Sequence, residues 1–322
     1  VPASAAAVSP LGARLARPLV ERLAIVGFGL IGSSIARAAR DRGLAGSIVC
    51  IDADDGVQAR VRELALADAV TGDVAQGVAG ADLVILCVPV GACASIGAAM
   101  AGALAPGAVV SDVGSVKGAV VDALAPHLPH GVHLVPAHPV AGTEYSGPDA
   151  GFATLFLDRW CILTPPAGVD SDAVSLVRRF WEAMGAMVEE MTPQHHDLVL
   201  AVTSHLPHLI AYNIVGTAAD LEAVTQSEVI KFSAGGFRDF TRIAASDPTM
   251  WRDVFLHNRE AVLEMLGRFN EDLAALARAI RWGDGEMLHA HFTRTRAIRR
   301  GIVALGQATP ETEKLRPKDP SA

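Results

Sequence analysis

Residues 23–34 read LAIVGFGLIGSS, and the fold of the first half follows from this stretch. Leu23 to Val26 is a short apolar strand. Gly27-Phe28-Gly29-Leu30-Ile31-Gly32 follows it and opens an apolar-periodic helix through Ala39. This is GxGxxG between a strand and a helix. The first glycine permits a tight turn, the second lets backbone approach a pyrophosphate, and the third lets helix and strand pack closely. The helix start then offers N–H groups and the positive end of its dipole to phosphates. Cofactor contacts are therefore expected from Gly27, Phe28, Gly29, Leu30, Ile31 and Gly32. Ser47 to Ile51 forms a second strand, and Asp52 stands at its end, 20 residues after Gly32. A carboxylate there accepts hydrogen bonds from an adenosine ribose and repels a 2′-phosphate. No arginine adjoins it, so NAD is expected over NADP.

Working outward, Leu83 to Val88 is apolar at every position. Such a strand is buried on both faces, which means a parallel sheet covered by helices. Its exit, Val88-Pro89, should pass near the cofactor. Ala108 to Asp112 is another strand, followed by Gly114-Ser115-Val116-Lys117. Ser115 offers a hydrogen bond near a strand end, and Lys117 a contact to phosphate or a substrate acid. An N-cap serine beside a solvated lysine explains the segment alone better. The apolar run Val132 to Val135 leads to AHPVAGTE at residues 137–144. The near-neutral pKa of a free imidazole suits His138 to moving protons. Ala141, Gly142 and Thr143 are small enough to let a ligand approach, and Glu144 adds a carboxylate. The alternative is a turn histidine held by Pro139. Gly27, Pro89, Ser115 and His138 all follow apolar strands, and in a doubly wound sheet such exits share one edge.

Arg159 to Thr164 and Ala186 to Met191 read as further strands around a helix from Val174 to Met184. Thr192-Pro193 is helix-start chemistry, and no strand pattern follows it. The expected organisation is a flexible leader (1–20), a dinucleotide-binding domain (21–191), a helical substrate and dimerisation domain (192–308) and a polar tail (309–322). The helical part carries His195, His196 and Asp197, then Ser204-His205-Leu206-Pro207-His208. HExxH is absent and no carboxylate joins these histidines at zincin spacing, so no metal is expected. His205 and His208, three apart, share a helix face. Arg238 and Arg242 lie four apart on a further helix, and Asp239 is placed to orient Arg242 by a salt bridge. An arginine fork suits a carboxylate; the alternative is a solvated charged face. Phe237, Phe240 and Trp251 argue that this segment is partly buried.

The formal net charge of −8 argues against non-specific nucleic-acid binding. With 51% hydrophobic and 19% charged residues, wholesale disorder is excluded. Cys50, Cys87, Cys93 and Cys161 form no CxxC pair. They read as free thiols of a reducing compartment, the cytoplasm. The uncharged run Leu198 to Ala219 contains His205, Pro207, His208 and Asn213, which fits a buried helix better than a membrane span.

GFGLIGSS at Gly27, GSVK at Gly114, HPVAGTE at His138, SHLPH at Ser204 and GGFRDFTRIAASDPTMW at Gly235 together resemble the prephenate/arogenate (cyclohexadienyl) dehydrogenases. The resemblance runs in order from about Arg22 to about Leu305. It implies an α/β Rossmann-like, mostly parallel sheet domain followed by an all-helical domain through which two subunits pair. It implies oxidative decarboxylation of prephenate or arogenate with NAD, giving 4-hydroxyphenylpyruvate or tyrosine and CO2. By the same resemblance His138 takes a hydrogen bond from the substrate hydroxyl, and Ser115 orients that pair. Ser204 and His208 lie near the substrate, and Thr143 is a further substrate-binding candidate. Arg242 holds a substrate carboxylate with Asp239 as ionic partner, and Glu144 guards the entrance. Arg238 stands where some relatives have lysine. Two other readings are a β-hydroxyacid dehydrogenase and a catalytically silent dinucleotide sensor. The first uses a lysine that Leu198 to Ala219 lacks, and the second has no need of Ser115, His138 and Arg242 together.

Overall fold

The computed structural model describes residues 11–143, 145–225 and 235–304. Glu144 and the expected tail lie outside them. A six-stranded parallel sheet is built from β1 (Val20–Val26), β2 (Ala45–Ile51), β3 (Ala69–Thr71), β4 (Leu83–Leu86), β5 (Val109–Asp112) and β6 (His133–Leu134), in the order β3-β2-β1-β4-β5-β6. The connecting helices are α1 (Leu30–Arg42), α2 (Asp55–Glu63), α3 (Val74–Val78), α4 (Cys93–Met100) and α5 (Lys117–Leu124). Strand alternation explains the two covered faces. Leu23, Ile25, Leu83 and Ile85 enter one core with α1, while Ala24, Val26, Val84 and Leu86 enter another with α4 and α5. Strand order reverses between β1 and β4, the place where open α/β sheets bind ligands. The glycine loop and Val88-Pro89 leave the sheet there.

A second sheet holds β7 (Ala137–Pro139), β8 (Trp160–Leu163) and β9 (Met187–Glu190), with β7 antiparallel to β8. This corrects the expected placing of His138. It is not at the exit of a main-sheet strand but in the middle of β7. Pro136 separates β6 from β7; it has no N–H to continue a ladder, and its carbonyl instead accepts from the Thr164 amide at 2.9 Å. α6 (Ser171–Ala183) closes the first core with Val177, Phe180 and Trp181.

Beyond β9 the described residues are helical. Thr192 caps α7 (Pro193–Leu200), accepting from the His195 amide at 3.2 Å. A π-helical segment, Ala201–His205, runs on into α8 (Leu206–Thr225). Then come α9 (Gly235–Thr241), α10 (Pro248–His257), α11 (Arg259–Trp282) and α12 (Gly285–Ala304). The chain forms two compact units, Val1–Leu263 and Glu264–Ala322. The first therefore extends past residue 191, because α7 is hydrogen-bonded to α5: the Asp197 carboxylate accepts from the amides of Lys117 and Gly118, both at 2.8 Å. The run Pro193–Asp220 is long and apolar enough to cross a membrane by length and composition. It is less buried than expected, since Val202, Ile214 and Val215 are exposed in the single chain.

Candidate active site

The glycine loop fits a dinucleotide. Gly27 has φ +91°, and a Cβ there would lie 2.4 Å from the Cys87 carbonyl oxygen. A Cβ on Gly29 would meet nothing within 4 Å, so the second glycine faces open space. Gly29 is also the N-cap of α1, with no side-chain cap and no acidic residue in the first turn to compete for its N–H groups. Phe28 departs from the expectation. The whole residue is buried, its ring in the core, so only its backbone belongs to the loop. That amide donates to Asp52 Oδ2 at 2.8 Å, and Asp54 N donates to Asp52 Oδ1 at 3.0 Å. A carboxylate has lone pairs beyond these two for a ribose hydroxyl. Leu30, Ile31 and Val88 are half-buried around the loop, Gly32 is buried, and Pro89 is exposed.

His138 is buried, and its Nδ1 lies 2.8 Å from His196 Nε2. His196 Nδ1 in turn lies 2.8 Å from Asp197 Oδ1. Burial works to raise the Asp197 carboxyl, but the hydrogen bonds from His196 and from the Lys117 and Gly118 amides outweigh it and hold it below its ordinary value. It is therefore an anion at neutral pH. Burial pushes His138 well below the usual imidazole value, and His196, Lys117 and His205 add to this. Ser115, expected to orient His138, sits half-buried between β5 and α5. The structure shows no hydrogen bond from it among the described residues; the side chain in hydrogen-bond contact with His138 is His196.

Lys117 is neither solvated nor turned toward a ligand, which corrects both sequence alternatives. It is fully buried, and its Nζ contacts Asp112 Oδ2 at 2.5 Å and the Ala137 carbonyl at 2.7 Å. Asp112 also accepts from Gly114 N at 2.7 Å and from Ala137 N at 3.3 Å. The ion pair thus holds both backbone groups of the residue next to His138. The helix N-cap is Val116, not Ser115.

On the helical side, His208 stacks on Trp251 with ring centroids 3.7 Å apart. Its Nδ1 donates to the Ser204 carbonyl at 2.8 Å, leaving Nε2 as an acceptor. Burial lowers its pKa, the Ser204 bond opposes this, and the nearby Arg242 charge lowers it further. Arg242 is exposed and lies in a 3-10 turn, Arg242–Ala245, just past α9. The expected Asp239–Arg242 bridge is absent. Asp239 pairs instead with Arg238 at 3.5 Å, with side chains 76% and 79% exposed. Of the three aromatics expected to bury this segment, only Trp251 is buried; Phe240 is exposed and Phe237 intermediate. Thr143 is exposed, and its hydroxyl accepts from Tyr145 N at 3.3 Å.

Sequence reasoning missed the roles of His196, Asp197, Lys117, Asp112 and Asn258. Asn258 Nδ2 donates to the Asp197 carbonyl at 2.8 Å and to His205 Nδ1 at 3.1 Å. The HHD run directly after the Thr192-Pro193 helix start was the available signal. Among the described residues no group of three or more His, Cys, Asp or Glu side chains is arranged to hold a metal. Burial raises the thiols of Cys50 and Cys93 to about 12, which leaves them protonated and unreactive.

The chain matches two family models. Residues 35–190 match the nucleotide-binding domain of prephenate dehydrogenase, and residues 192–294 match its dimerization domain. A cyclohexadienyl dehydrogenase of Zymomonas mobilis is 44% identical over 87% of this chain and 95% of its own length. The prephenate dehydrogenase of Aquifex aeolicus, solved with hydroxyphenyl propionate and NAD+, superposes with TM-score 0.82 at 35% identity, covering 88% of this chain and 98% of that one. Synechocystis arogenate dehydrogenase superposes with TM-score 0.75 at 26% identity over 87% of this chain and 99% of its own. A glycine-rich dinucleotide loop and a buried histidine, on this topology and with these matches over most of the chain, place the chain in the prephenate dehydrogenase family.

Proposed function

We propose that the chain catalyses NAD-dependent oxidative decarboxylation of prephenate, arogenate or both, yielding 4-hydroxyphenylpyruvate or tyrosine and CO2. NAD, when bound, supplies the hydride acceptor. The glycine loop from Gly27 to Gly32 and the N-terminus of α1 would hold its pyrophosphate, Asp52 its ribose, and Val88-Pro89 would border it. The negative Asp52 favours NAD over NADP. The observation that carries the reading is buried His138, in contact at Nδ1 with His196. Its Nε2 takes the proton of the ring hydroxyl as positive charge develops on that carbon, a step worth about 10²–10⁴ in rate for a positioned base. Loss of the ring carboxylate then makes the ring aromatic, which renders the whole step effectively irreversible.

Arg242 holds a substrate carboxylate and positions it rather than reacting. Ser115, Ser204, His208 and Thr143 line the substrate, while Asp239 and Arg238 stand at its margin. The working division is 21–191 for cofactor and 192–308 for substrate and pairing. A second copy of the chain is the proposed cover for the exposed Val202, Ile214 and Val215, giving a homodimer. A cytoplasmic location agrees with the free cysteines. NADH absorbance after adding prephenate or arogenate with NAD tests the activity, and a flat trace with both would refute it. Side-by-side kcat/KM values rank the two substrates. His138→Asn should abolish turnover and keep NAD binding; near-full turnover would remove His138 as the base.

A further inference from the structure

We propose that His196 and Asp197 are positioning residues of this reaction, which hold His138 in its Nδ1–H tautomer so that Nε2 presents a lone pair to the substrate hydroxyl. The proposal rests on the reading that His138 is the proton acceptor. Its direction is set from the carboxylate outward. An ionised carboxylate only accepts, so the bond at Asp197 Oδ1 requires a proton on His196 Nδ1. Neutral His196 then has a bare Nε2, and the 2.8 Å contact to His138 Nδ1 requires the proton to sit on His138. The ring centroids are 5.0 Å apart with the planes at 67°, an edge contact that leaves room for an N–H pointing at a lone pair.

The anchor of the chain is itself fixed. Asp197 accepts from Lys117 N and Gly118 N, and its carbonyl accepts from Asn258. When the substrate O–H bond breaks and an Nε2–H bond forms, His138 becomes cationic and its Nδ1–H bond to His196 strengthens. The neighbours facing this pair are Lys117 and Asp112 from the β5–α5 side, His205 from the π-helical segment and Cys161 from β8. Lys117 and burial both oppose a cation on His138. The Asp197 carboxylate, one ring away, acts in the other direction on His196, through its hydrogen bond and its charge.

The test compares kcat, KM and the pH profile of the intact enzyme with those of four variants. His138→Asn should be inactive. His196→Ala should lower kcat by about 10²-fold or more and leave KM for NAD within about twofold. In His196→Gln the amide oxygen can still accept the Nδ1–H, so about tenfold of that loss should return. Asp197→Asn should fall as far as His196→Ala, because an amide donor there reverses both tautomers. The acid limb of kcat/KM should move in all three variants beyond His138. If His138→Asn is inactive while His196→Ala and Asp197→Asn keep kcat within about threefold and the same acid limb, the inference is overturned and the base assignment stands. If His138→Asn turns over normally, the base assignment itself fails. Should His196→Ala not fold, equal kcat for Asp197→Asn and His196→Gln overturns the inference, and a faster Gln variant supports it.

Discussion

Lys117–Asp112 and Arg238–Asp239 are both neighbouring pairs of opposite charge, and the fold treats them in opposite ways. The first has side chains 0% and 1% exposed, and each partner also bonds the backbone of Ala137. The second is exposed on both sides. A buried pair is costly to break, because either partner left alone is an uncompensated charge. An exposed pair is screened and contributes little. Charge pairing by itself therefore says nothing about importance. What matters is whether the pair also holds backbone that a functional side chain depends on.

The largest effect that can break this contrast is Lys117→Met. It should lose about 3–5 kcal/mol of stability by denaturant unfolding, and replacing Asp112 by Asn as well should return part of it. A loss under about 1 kcal/mol would show that the pair does not hold β7 in place. Next is acid. Burial pushes His205 down to about 4, and His138, His196 and His208 are lowered too. As pH falls below about 6.5 the unfolded chain takes up protons before the folded one does. Stability should therefore be full above that pH and decline down to about 4, with His205 accounting for at most about 3 kcal/mol. A stability that stays level from neutrality to about pH 4 would sink this account of the histidine cluster.

A smaller change is expected at Arg242, exposed and without an ion pair among the described residues. Arg242→Gln should raise KM about 10- to 100-fold with kcat little altered, the worth of a charged hydrogen bond. An unchanged KM removes it from the substrate site. Smallest is Arg238→Ala, which should leave the unfolding midpoint within about 1 °C, since exposed ion pairs add almost nothing.

The glycine loop, Asp52 and the all-apolar β4 were legible because each rests on contacts close in sequence or on strand alternation. The path of the chain after β6 was not. An apolar run followed by a histidine looks like one strand and its exit, and only the break at Pro136 sends β7 into a second sheet. Asp239 was assigned to Arg242 on helical spacing, yet α9 ends at Thr241. Arg242 then leaves the helical register, and Asp239 takes its neighbour. Lys117 looked like a solvated side chain because nothing local shows that Ala137 closes over it.

By itself the sequence determined the cofactor half and the residue types of the chemistry, since glycine sterics and strand periodicity act over a few residues. The tertiary structure decided which nitrogen of His138 is free. His138 and His196 lie 58 positions apart, and Lys117 and Asp197 lie 80 apart. A tautomer is set by hydrogen-bond partners within 3 Å, and only the packing of α7 against β7 and α5 brings those partners together.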